Sequence, residues 1–109
     1  MAATTEVPLT IQPDAAARVA ELGLQREFDE MIEQARRMIP DLRRIEVTLA
    51  WPPDYEDDPR VIIAPIVPNL GMSHLSAEEQ YVAWQIARYS PDVLRHILLM
   101  IGFEATNGR

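Results

Sequence analysis

Apolar residues alternate with polar or small ones along Ile45, Val47, Leu49 and Trp51, and a second apolar run follows from Val61 to Val67. Period-two alternation marks a strand with one buried face. Between the two runs lies Pro52-Pro53-Asp54-Tyr55-Glu56-Asp57-Asp58-Pro59, which breaks both patterns. The stretch from Arg43 to Val67 therefore predicts a β-hairpin. Its connection carries three prolines and no Asn-Gly signal, so the alternating faces, not a tight turn, set the register. Upstream, Val7, Leu9 and Ile11 alternate and predict a short strand over 6–12, with Pro8 favouring a sheet edge because it has no N–H.

The spacing changes to a helical one further along. Pro13-Asp14 opens a helix, since proline suits the first turn and an acid there complements the dipole. Leu24, Phe28, Met31, Ile32, Ala35 and Ile39 form one helical stripe, but Val19 and Leu22 fall on its opposite side. A break at Gly23 resolves that conflict, giving two helices in succession. Arg36 and Arg37 suit the last turn of the second, and Pro40 stops it. After a loop at Pro68-Asn69-Leu70-Gly71, Ser76-Ala77-Glu78-Glu79 reads as a capping box. It predicts a helix from Ala77 to Tyr89, with Val82, Ile86 and Tyr89 on one face and Trp84 beside them. Ser90-Pro91-Asp92 restarts the chain. The run Ile97 to Ile101 fits either a helix or a strand, and the preferred reading is one turn and then a strand over 96–104. Pro65 suggests an edge or a bulge in the second hairpin strand.

The expected fold is a single α+β domain over residues 1–109, in the order β-α-β-β-α-β, similar to split βαβ layouts. Residues 1–5 and 106–109 are expected to be flexible ends. Neither repeats nor low-complexity segments interrupt it.

Composition narrows the chemistry. The 109 residues contain no cysteine, which excludes a disulfide framework, a thiol nucleophile and a cysteine zinc site. All ten basic residues are arginines, so a Schiff-base lysine and a P-loop lysine are excluded as well. A net charge of −7 argues against nucleic acid and favours steering toward a basic partner. No apolar run approaches the roughly 18 residues of a membrane span, and the first residues lack a signal-peptide pattern. The expected location is the cytoplasm.

The carboxylates Asp54, Glu56, Asp57 and Asp58 form the one dense acidic cluster, yet they lack the glycine and distal glutamate of a calcium loop. His74 and His96 show no zinc-ligand spacing, and Ser73 beside His74 has no nucleophile-elbow context. His74 reads as a loop residue and His96 as a half-buried strand or helix residue. Ser76 and Ser90 are explained as helix caps. The arginines Arg36, Arg37, Arg43 and Arg44 form a patch that Glu33 partly neutralises through Arg37. No catalytic residue, metal ligand or cofactor site is assigned.

The succession Ile39-Pro40-Asp41-Leu42-Arg43-Arg44-Ile45-Glu46-Val47, the acidic loop and Val61-Ile62-Ile63 resembles a widespread group of small bacterial proteins of unknown function with a helix–β-hairpin–helix core. The resemblance covers about half the chain and brings no catalytic residue with it. It implies an accessory role beside a neighbouring gene product, as in toxin–antitoxin pairs.

The functional expectation is a non-enzymatic protein-interaction module, antitoxin-like or immunity-like, whose contact surface uses Trp51, Asp54, Tyr55, Glu56, Asp57 and Asp58. Its partner would be another protein, basic and encoded nearby. An exposed sheet edge would also allow a homodimer. The rival expectation is a small enzyme or ligand-binding domain with a pocket between sheet and helices, where His74, His96 and Tyr81 converge.

Overall fold

The computed structural model describes residues 7–51, 58–68 and 72–103. Strand β1 (Leu9–Ile11) leads into α1 (Pro13–Leu22) and α2 (Gln25–Met38). The hairpin strands β2 (Arg44–Ala50) and β3 (Arg60–Val67) follow, then α3 (Met72–Arg88), α4 (Pro91–His96), β4 (Ile97–Leu99) and β5 (Gly102–Phe103). The α+β class and the central antiparallel hairpin are as expected.

The hairpin pairs Ile45 with Pro65, Val47 with Ile63 and Leu49 with Val61, in the register that the alternating pattern demands. Ile45, Val47, Val61, Ile63, Ile97 and Leu99 are buried, and they join Ala15, Val19, Phe28, Met31, Ile32, Ala35 and Tyr81 in one core cluster. The helices thus cover a single face of the sheet. Thr48, Ile62, Ala64 and Leu98 point the other way and are half-buried.

Strand order is β1-β2-β3-β4, with β5 also on β3. β1 runs parallel to β2 as its direct neighbour, and β4 runs parallel to β3. This corrects the split βαβ expectation, because no strand is inserted between the parallel partners. Pro8 sits at the start of the edge strand β1 as expected, and its carbonyl accepts from the Ile45 N–H at 2.9 Å. Pro65 is not at an edge, since β3 has neighbours on both sides. Instead its missing N–H coincides with a gap in the outer strand: β4 pairs up to Ile63 and β5 resumes at Ile66. Met100 and Ile101 fill the gap, and the Ile101 N–H finds the Glu78 carboxylate at 3.3 Å.

Gly23 ends α1 in the left-handed region at φ 71°. Its N–H reaches Ala20 O at 3.1 Å and the Leu24 N–H reaches Val19 O at 3.1 Å, the paired bonds of a Schellman motif. The chain can then turn before α2, which buries Phe28, Met31, Ile32 and Ala35. The expected break at Gly23 is present.

Two expectations for the second half are corrected. α3 begins at Met72, so Ser76 lies inside the helix rather than at its cap, with Gln80 Nε2 at 3.5 Å from its hydroxyl. The face of α3 that meets the core carries His74, Ala77, Tyr81 and Gln85, while Val82 and Ile86 are 39% and 64% exposed. Residues 93–103 combine both readings, since α4 runs to His96 and the strand starts at Ile97. The expected strand over 96–104 therefore starts one residue later and is interrupted at Met100 and Ile101, while Glu104 lies outside the described residues.

Candidate functional site

Three surfaces have the composition of a binding site, and each is set up by local structure. The first is the end of the hairpin where β2 stops and β3 begins. β2 stops at Ala50, and Trp51 beyond it is 57% exposed. Asp54, Tyr55, Glu56 and Asp57 lie outside the described residues. Asp58, where the chain returns toward β3, is held from two helices: Arg18 of α1 donates to its carboxylate at 3.1 Å, and His96 Nε2 of α4 lies 3.3 Å from the same oxygen. Arg18 also donates to Glu21 at 2.9 Å, and His96 Nδ1 sits 3.0 Å from Asp92 O. Asp58 is thus a clasp joining the hairpin to α1 and α4.

The second surface is a groove between α2 and α3 of about 340 Å³, lined by Glu30, Glu33, Gln34, Arg37, Trp84 and Arg88. Two turns of α2 supply Glu30, Glu33, Gln34 and Arg37, and the i,i+4 neighbours Trp84 and Arg88 face them from α3. Arg88 donates to both oxygens of Glu30, at 3.0 and 2.7 Å, and Tyr89 donates its hydroxyl to the same carboxylate at 2.7 Å. Donation from Arg88 first, and then from Tyr89, holds the Glu30 carboxyl down at about 2. Burial, with the Glu30 charge alongside, pushes the Tyr89 hydroxyl up to about 12. Trp84 is fixed between Tyr81 and Tyr89, at ring-centre distances of 5.3 and 5.5 Å, the latter edge-to-face. The Arg88 guanidinium lies 5.7 Å over the Tyr89 ring.

The third is the outer side of α3, where Leu75, Val82 and Ile86 share a stripe at 49%, 39% and 64% exposure. Their spacing of seven and four keeps them on one helical face.

His74, His96 and Tyr81 take part in separate contacts. His74, expected in a loop, is a buried residue of α3 with Nε2 3.1 Å from Pro40 O and 3.7 Å from Asp41. Asp41 turns the chain there at φ 58°. His96 engages Asp58 and Asp92, and the Tyr81 hydroxyl donates to Met31 O at 2.7 Å. The convergence on which the enzyme expectation rested is not what these contacts describe. Among the described residues, no group of three or more His, Asp or Glu side chains could hold a metal ion. The arginine patch is also divided: Glu33 lies 3.9 Å from Arg36 rather than beside Arg37, and Arg44 pairs with Glu46 at 2.7 Å.

Sequence reasoning missed the α2–α3 groove. Its signal was available in Gln34 and Arg37 on the flank of the α2 stripe, and in Trp84 set between two tyrosines. The missing information was which side of α3 faces inward. No helix is long and apolar enough to cross a membrane among the described residues. In comparisons with protein families, curated proteins and solved structures, nothing matches this chain.

Proposed function

We propose that this chain is a non-enzymatic protein-interaction module that engages a basic partner protein through the end of its hairpin that joins β2 to β3. The single observation that carries this reading is Trp51, a large aromatic side chain 57% exposed where β2 ends, next to the acidic segment. Tryptophan exposed beside charge is the composition of an interface anchor, because its burial on binding supplies area at little rotamer cost. The excess of seven negative charges supplies long-range attraction to a cationic surface. Asp58 has a different part: its links to Arg18 and His96 tie the start of the return to β3 to α1 and α4. Within the contact surface, Trp51 and Tyr55 are the anchors and Asp54, Glu56 and Asp57 the steering charges. Antitoxin-like or immunity-like neutralisation of a basic protein encoded nearby is the setting in which such a module would act, in the cytoplasm of a bacterial cell.

A second reading has its own observation. The Leu75, Val82 and Ile86 stripe on α3 offers an apolar helix face for a second copy or another helix.

The test is affinity capture of the neighbouring gene product by wild-type protein and by Trp51→Ala. Capture that is lost or reduced about tenfold or more in the variant, with an unchanged circular dichroism spectrum, is the expected result. Equal capture by both proteins contradicts the role given to Trp51.

A further inference from the structure

We propose that the groove between α2 and α3 binds a small planar aromatic carboxylate, with its ring against Trp84 and its acid group on Arg37. The inference goes beyond the hairpin surface and does not rest on it. It begins from an account of the charges in the groove. Glu30 accepts from Arg88 at 2.7 and 3.0 Å and from Tyr89 at 2.7 Å, so this carboxylate and this guanidinium satisfy each other. Glu33 has Arg36 at 3.9 Å, and the Glu33 side chain is 57% exposed to water. Arg37 has no ion pair among the described residues and is left as the uncompensated cation of the groove. Beside it, Gln34 supplies an amide without a hydrogen bond among the described residues.

The wall opposite is aromatic and packed on two sides. Trp84 packs against Tyr81 and Tyr89 at 5.3 and 5.5 Å, which leaves its remaining surface preorganised toward the groove. Preorganisation matters here, because a side chain that is already fixed loses little entropy when a ring stacks on it.

These features select the ligand. A fork-shaped guanidinium with a neighbouring amide fits the two oxygens of one carboxylate. A multiply charged anion is disfavoured, since the chain carries a net charge of −7 and one free arginine cannot offset both. The volume of about 340 Å³ is at the small end of ligand sites and accommodates one fused ring system with its acid group.

The experiment is a titration of the isotope-labelled protein with 2-naphthoate, followed by amide chemical shifts. Saturable shifts confined to the segments 33–37 and 84–88 are expected. Cyclohexanecarboxylate, which lacks the aromatic face, and 2-naphthylmethylammonium, which reverses the charge, should each bind about tenfold more weakly or worse. Arg37→Gln should weaken 2-naphthoate about tenfold while its melting temperature stays that of the wild type. Trp84→Leu should abolish binding; if that variant is unfolded, Arg37→Gln and the ligand series still decide. The absence of saturation up to the solubility limit overturns the proposal. So does equal binding of the cation, or an affinity unchanged by Arg37→Gln.

Discussion

The Tyr81 hydroxyl donates to Met31 O at 2.7 Å from a side chain with no exposed surface, so α3 is keyed to α2 by a directional bond as well as by packing. Deep burial pushes this phenol well above its ordinary range and keeps it a donor at any pH the fold survives. Tyr81→Phe keeps the ring and removes the bond, and should cost about 1 kcal/mol in urea unfolding. Tyr81→Ala also leaves a cavity and should cost about 3–5 kcal/mol. Glu30 supplies a pH-dependent contact. Its carboxyl is lowered from 4.5 to about 2 by Arg88 and Tyr89, so its contribution to stability is complete above about 4.5 and is lost as the pH falls through 2. Melting temperatures of Glu30→Gln and wild type should therefore differ most at neutral pH and converge between pH 4.5 and 2. A constant offset across that range would remove Glu30 from the account of acid sensitivity.

At the scale of elements, the hairpin was legible because period-two alternation is unambiguous when one face is buried. Ile45, Val47, Val61 and Ile63 all turned to the core. The break at Gly23 was legible for a related reason, since Val19 and Phe28 could not share a face without it. α3 was not legible. The spacing placed Val82, Ile86 and Tyr89 on one face, yet the inward face is built from Ala77, Tyr81 and Gln85, with the Tyr81 hydroxyl and the Gln85 amide reaching Met31. A tyrosine or glutamine with a partner on a neighbouring helix can be buried, but that partner is fifty or more positions away and leaves no local trace. The capping box failed at the same place. Ser76 and Glu79 have the right spacing, but the helix already begins at Met72. Ser76→Ala should accordingly change stability by less than about 0.5 kcal/mol, the value for an exposed helix position. Ser90→Ala should cost about 1 kcal/mol, because the Ser90 hydroxyl accepts from the Val93 N–H of α4 at 3.4 Å. Chemical denaturation of the two variants side by side distinguishes a true cap from a sequence match.

At the scale of the molecule, the helices cover one face of the sheet, and the surface proposed for binding lies where β2 stops at Ala50. The binding residues named from sequence do not all have the same task. Trp51 is exposed, whereas Asp58 joins the hairpin to α1 and α4. That division was hidden in the sequence, because the partners of Asp58, Arg18 and His96, lie 40 and 38 positions away. Asp58→Ala should cost about 1–2 kcal/mol of stability, as it removes two contacts of a half-buried carboxylate and leaves the Arg18 guanidinium with Glu21 alone. The measurement that tests the central claim most directly is the association rate of the captured partner as a function of salt, for wild type and for the triple variant Asp54→Arg, Glu56→Arg, Asp57→Arg, which leaves the Asp58 clasp intact. An acidic steering surface predicts a wild-type rate that falls with ionic strength and drops about tenfold or more in the variant at low salt. Rates that are independent of salt and equal in the two proteins would contradict it.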